Sequence, residues 1–262
     1  MLRQRVFTAL AAFAALLLVL FVFPAQAVKA VFALLMLAGA WEWSGFLKLS
    51  STNARLAYVG LIAALLATVV SFADEQAVGM ILKVALAWWL IALIWVFNFP
   101  TPIPRPAGWI CGVLVLIPAY LAIIFLYLLK PELLLFVLII VWAADIGAYF
   151  AGKRFGRVKL APSISPGKTW EGVLGGFAFV SVLTLLQARW LAIDIAVLLP
   201  FCLAVASISI VGDLTVSMFK RNAGVKDSGR LFPGHGGVLD RIDSVTAAAP
   251  LFALGIGWVG LR

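Results

Sequence analysis

The 262-residue sequence reads as an all-α polytopic membrane protein with about nine transmembrane helices, on three observations. Hydrophobic residues make up 65% of the chain and charged residues 12%. Mean hydropathy is +1.13, more apolar surface than a soluble domain of this length could bury. The apolar residues fall into separate runs of bilayer-crossing length, and helices satisfy their own backbone groups in lipid. The basic residues, finally, alternate between the two sides.

The runs are taken in chain order, with ends uncertain by a few residues. The first, Val6 to Phe23, follows Arg3 and Arg5. It also resembles a signal peptide ending at Ala25-Gln26-Ala27, but it exceeds the roughly 7 to 15 apolar residues of such segments, so a retained helix is the preferred reading. Val28 to Leu47 and the shorter Leu56 to Phe72 come next, then Ala77 to Phe97. The proline-rich NFPTPIPRPAG at 98–108 is a stiff connection. Gly108 to Leu129, Glu132 to Ala151, the glycine-rich Gly172 to Gln187, Ile193 to Phe219 and Val238 to Leu261 complete the set. Residues 1–106 supply N-terminal helices and 107–262 the polar, candidate catalytic half, within one integrated membrane domain.

With a cytoplasmic N-terminus, the inside segments hold Arg3, Arg5, Lys48, Arg55, Arg105, Lys153, Arg154, Arg157, Lys159, Lys168, Lys220, Arg221, Lys226 and Arg230. The outside keeps Lys29, Lys130, Arg189 and Arg262, as the positive-inside rule requires. Dropping one span would scramble this pattern. The net charge of +9 therefore reports topology and attraction to anionic lipid heads, with no nucleic-acid partner. Cys111 and Cys202 lie inside predicted spans without metal or disulfide spacing, and read as packing residues.

The acids divide unevenly. Asp74, Glu75, Glu132 and Asp194 occupy outside turns, while Glu42, Asp145, Glu171, Asp213, Asp227, Asp240 and Asp243 gather towards the inside ends of helices. Asp213 precedes Lys220 by about 10 Å of helix, deep enough that its carboxylate needs a partner. Asp240 and Asp243 share a helical face at the start of the next span. A tight return between those spans would bring Asp213, Asp240 and Asp243 together, with Asp145 as a further candidate. Such an all-oxygen set suits Mg²⁺; salt bridges to Lys220 and Arg241 are the other reading.

Two basic segments flank these acids. In GVKDSGRLFPGHGGV, Gly234, Gly236 and Gly237 allow close backbone approach to a ligand, and His235 is the single histidine of the chain. In SPGKTWEG, Lys168 and the hydroxyls of Ser165 and Thr169 are expected at a helix N-terminus, where amide dipoles favour anions. The spacing is not that of a Walker A loop. Glu171 is expected to complement the helix dipole. The run Lys153 to Lys159 reads as an ordinary positive-inside loop. Acids, a metal and clustered cations together suit phosphoryl or nucleotidyl transfer on a lipid.

The stretch SMFKRNAGVKDSGRLFPGHGGVLDRID strongly resembles the signature of the phosphatidate cytidylyltransferases, with Lys220, Arg221, Lys226, Asp227, His235, Gly236, Gly237, Asp240, Arg241 and Asp243 in place. DIGAYFAGK and SPGKTWEG look like that family's second conserved region. The resemblance implies CTP plus phosphatidate giving CDP-diacylglycerol and pyrophosphate. It further implies Mg²⁺ with K⁺ as an additional ion, a homodimer, and an inner-membrane protein with a cytoplasmic active site. On this reading Asp213, Asp240 and Asp243 hold metal, with Asp145 beside them. Lys168, Lys220, Arg221, Lys226 and Arg241 hold the CTP phosphates and the phosphatidate head, with Ser165, Asp227, His235, Gly236 and Gly237 as further substrate contacts. Two positions depart from the family pattern: Ile146, where Thr or Ser is usual, and Val216, where Glu is common. A CTP-dependent polyprenol or phytol kinase and a cation-coupled transporter are the rival readings.

Overall fold

The computed structural model describes residues 2–191, 193–229 and 236–261. These form nine helices: α1 (Leu2–Phe21), α2 (Ala25–Phe46), α3 (Thr52–Phe72), α4 (Glu75–Phe97), α5 (Arg105–Leu129), α6 (Pro131–Phe155), α7 (Trp170–Leu191), α8 (Ile195–Ala223) and α9 (Leu239–Gly255). Among the described residues, α2 to α8 are each long and apolar enough to cross a membrane, whereas α9 has 17 residues. The chain is a multi-pass membrane protein.

Helix starts follow local chemistry. Ser51, Asp74 and Asp194 accept hydrogen bonds from Ala54, Ala77 and Ala196 and so cap α3, α4 and α8. The Ser51 cap explains why α3 begins ahead of the expected Leu56. The four acids expected outside thus act at helix N-termini, with Glu75 and Glu132 in the first turns of α4 and α6.

One element departs from the all-helical expectation. Before α7 the chain forms an antiparallel hairpin of β1 (Lys159–Ala161) and β2 (Ser165–Thr169), pairing Lys159 with Thr169 and Ala161 with Ser165. Pro166 disfavours a helical Ser165, and α7 begins at Trp170, two residues ahead of the expected Gly172. Lys168 therefore sits on a strand leading into the helix, and the predicted start at Gly172 is corrected. At the other end, α9 stops at Gly255 and is followed by turns, short of the expected Leu261.

The core centres on α5, which packs against α2, α4, α6 and α9, while α8 packs against α7, α9 and α4. Helices of both halves of the chain thus share one interior. Small residues decide two contacts that position the polar end, and a tryptophan decides a third. On α6 and α7, a side chain at Gly147, Gly175 or Gly176 would strike the facing helix, so these glycines permit backbone contact. Gly212 does the same for α8 against the Asp243 carbonyl and Ala247 of α9. Trp43, fully buried on α2, donates to the Gly108 carbonyl of α5 at 3.0 Å and packs its ring 4.7 Å from that of Phe219 on α8. That anchor sets the rotation of α2, and with it the direction of the neighbouring Glu42.

Candidate active site

The C-terminal ends of α2, α6 and α8, the start of α9 and the hairpin meet at one end of the bundle, and two lysine–aspartate pairs lie there. Lys168 on β2 contacts Asp213 of α8 at 2.5 Å, with both side chains 26% exposed. Asp213 also accepts from Ser217, one turn further along the helix, at 3.2 Å. Close packing at Gly212 brings the next residue, Asp213, towards Asp243, and Asp213 is within electrostatic reach of Asp145, Asp243, Lys168 and Lys220. Asp243 is buried and accepts from the amide of Ser244. A buried carboxylate beside a second one creates demand for positive charge, which Lys220 and Lys168 meet in part.

The second pair is closed. Lys220 donates to Oδ1 of Asp240 at 2.7 Å, with side chains 10% and 9% exposed. Oδ2 of Asp240 accepts from the amides of Ser228 and Gly237, each at 2.9 Å. Both carboxylate oxygens are therefore engaged, Oδ1 by Lys220 and Oδ2 by the two amides. Among the described residues no three acids, histidines or cysteines converge tightly enough to form a ready-made metal cluster. The donor chemistry nevertheless suits a hard cation: Asp213 lies within electrostatic reach of both Asp145 and Asp243, and all three offer oxygen donors. The salt-bridge alternative from the sequence is realised at Lys220.

The remaining expected contacts are distributed as follows. Arg221 donates from Nε to the Ile164 carbonyl at 3.0 Å and so ties α8 to the hairpin turn. Thr169 spends its hydroxyl on the Gly172 amide, capping α7, and Glu171 accepts twice from the Val158 amide at the hairpin base. Ser165 is half-buried at the start of β2; Lys226 and Asp227 are exposed after the left-handed Gly224 that ends α8; Arg241 is exposed on α9. Gly236 has φ +82°, a conformation suited to glycine. Arg230 and His235 lie outside the described residues. Ile146 is exposed beside Asp145, and Val216 is fully buried in the core, so the two departures from the family pattern have unlike settings.

A groove of about 230 Å³ opens beside the first pair, with Asp145, Tyr149, Lys168, Thr169 and Ile210 in its walls. It joins the charged centre to the flank of α6 and α7. A second groove, of about 630 Å³, lies between α2, α3 and the loop after α8, with Trp41, Glu42, Arg55, Asp227 and Ser228 in its walls. The sequence assigned no role to Glu42, yet it is buried and accepts from Ser228 and from the amides of Val238 and Leu239. An acid flanked by tryptophans inside an apolar run was the available signal.

Comparison with known proteins agrees with this geometry. The chain is 42% identical to the phosphatidate cytidylyltransferase of Pseudomonas aeruginosa, over 97% of this chain and 96% of the relative. It is 40% identical to that of Haemophilus influenzae, over 97% and 98% respectively. A shorter match, 53% identical, covers 42% of the chain and 38% of the phosphatidate cytidylyltransferase of Synechocystis. The sequence pattern of the cytidylyltransferase family matches residues 3–258, and the chain belongs to that family.

Proposed function

We propose that the chain transfers the cytidylyl group of CTP to phosphatidate, giving CDP-diacylglycerol and pyrophosphate, at the cytoplasmic face of the inner membrane. The observation that carries this reading is end-to-end similarity to proteins of that name, 42% identical over 97% of the chain. The charged centre at one end of the bundle supports it.

In the reaction a phosphate oxygen of phosphatidate forms a bond to the α-phosphorus of CTP, and the bond from that phosphorus to the β-bridging oxygen breaks. The lipid phosphate is already ionised near neutral pH, so no general base is required. The work left to the protein is positioning and neutralisation of charge. Lys168, half open to the groove, exchanges Asp213 for a phosphate oxygen as substrate enters. Lys220, held by Asp240, presents fixed positive charge. Arg221 holds the hairpin, and with it Lys168, against α8. Lys226 and Arg241, exposed near the signature loop, complete the basic rim. Mg²⁺, held by Asp213 and Asp243 with Asp145 beside them, would neutralise the phosphates and stabilise charge on the departing pyrophosphate. K⁺ and a homodimeric state belong to the same reading; replacing K⁺ by Na⁺ in the assay and cross-linking in liposomes test them.

The deciding assay uses purified protein in phosphatidate-containing liposomes with CTP labelled either in the cytidine or at the γ-phosphate. Phosphatidate-dependent transfer of the cytidine label into lipid is expected. Transfer of the γ-label alone would instead identify a lipid kinase, and no lipid labelling at all would overturn both.

A further inference from the structure

Glu42 is a buried acid in an apolar helix, and the proposed chemistry gives it no task. Its carboxylate accepts three hydrogen bonds from residues almost two hundred positions away: Ser228 Oγ to Oε2 at 2.7 Å, Val238 N to Oε1 at 2.8 Å and Leu239 N to Oε2 at 2.8 Å. Two of these donors are backbone amides at the very start of α9. Helix starts leave such amides without intrahelical partners. Three other helices cap themselves with Ser51, Asp74 and Asp194, but Val238, at the corresponding position of α9, has no side chain able to do so. Glu42 supplies the missing cap from α2, and its negative charge suits the positive end of the helix.

The glycines of the loop fit the same role. A Cβ at Gly229 or Gly237 would run into the Glu42 carboxylate, so the chain closes on Glu42 at both positions only because these residues lack side chains. From there the contacts continue inward. Ser228, bonded to Glu42 through its hydroxyl, donates its amide to Asp240, and Asp240 holds Lys220. Lys220 in turn lies within electrostatic reach of Asp213 and Asp243.

We infer that Glu42 is a positioning residue for catalysis: it caps α9 across the bundle and, through Ser228 and Asp240, fixes the Lys220 ammonium against the acidic centre. This rests on the proposed cytidylyl transfer. It assigns the N-terminal helices a part in the active site. Glu42→Gln keeps the volume but turns an amide N–H₂ towards at least one of the three donors. One carboxylate bond is then lost and the start of α9 loosens.

The test measures turnover per folded molecule, at saturating CTP and phosphatidate, after monodisperse protein has been isolated by size exclusion. Glu42→Gln is expected to lose about tenfold in turnover and to exchange its amide hydrogens faster at 236–243, with α3 and α4 unchanged. Ser228→Ala removes one of the donors and should lose less. The double variant should be no worse than Glu42→Gln, because both changes act through one connection. A merely structural Glu42 would lower the yield and leave turnover per folded molecule intact; that result overturns the inference. So does a double variant whose loss is the product of the single losses. Should Glu42→Gln fail to accumulate, Ser228→Ala decides: wild-type turnover in it refutes the connection. Wild-type protein that labels no lipid with cytidine overturns the activity instead, and unchanged exchange at 236–243 in Glu42→Gln then still refutes the cap.

Discussion

Lys168 with Asp213 and Lys220 with Asp240 are the same chemical pair at the same end of the bundle, yet they are held in opposite ways. The first joins a strand to the interior of a long helix, is about one-quarter exposed, and opens onto a groove. The second is about one-tenth exposed, and its carboxylate is saturated by Lys220 and two loop amides. A half-open pair can exchange one partner for a substrate phosphate at little cost, because water and incoming charge both compensate the separated ions. A closed pair cannot, since breaking it strands a buried charge. Charge that handles substrate and charge that holds the frame are thus separated by solvent access and by the donors around each carboxylate, although the residue types are identical.

The most severe way to break this contrast is to neutralise the open side. Asp213→Asn should reduce turnover by about a hundredfold or more while leaving the amount of folded protein near normal, because its side chain is only half-buried and the apolar spans are untouched. Steady-state turnover of the purified variant checks this, and near-normal activity would remove Asp213 from the centre. Lys168→Ala should follow, with a loss of about tenfold to a hundredfold, read from the same assay.

The closed side should respond differently. Asp240→Asn should lose about tenfold in turnover, together with part of its thermal stability, while keeping the wild-type Mg²⁺ requirement. Asp243→Asn should raise that requirement. A Mg²⁺ titration of both variants separates a frame residue from a cation ligand. Equal shifts in the two would return Asp240 to the metal set that its spacing suggested.

Val216→Glu sharpens the contrast one turn along α8 from Asp213. Val216, one of the two positions that depart from the pattern of the resemblance, is fully buried. Burying a carboxylate at that position costs on the order of 3 kcal/mol. The variant should show lower extractable yield with an unchanged Mg²⁺ requirement. The smallest effect is expected from alanine at Lys153, Arg154 or Arg157, within about twofold of wild type, because these exposed cations serve topology. Sensitivity equal to that of Lys168 would show that the hairpin base handles substrate.

The number of helices and their order were legible from run length and from the placement of Lys and Arg. These are one-dimensional properties: a bilayer imposes a fixed thickness and a charge rule on each segment independently of its neighbours. The signature loop was legible because its polar residues match a known family pattern at many positions of one short stretch. Spacing also placed Asp240 and Asp243 on one helical start, but it did not separate their roles. Which oxygen meets which donor depends on neighbours contributed by other helices.

Pairing and rotation were decided by the tertiary structure. Gly212 brings α8 against α9 and so sets Asp213 near Asp243; Pro166 and the hairpin carry Lys168 to Asp213; Trp43, locked between α5 and α8, turns Glu42 towards α9. Each of these contacts joins segments tens to hundreds of residues apart. Hydropathy says that a residue is buried and a motif says that it is polar. Only close packing of side chains of particular volume selects the partner, because an unpaired charge or an unmet amide in the interior costs more than the small shift of a helix that satisfies it.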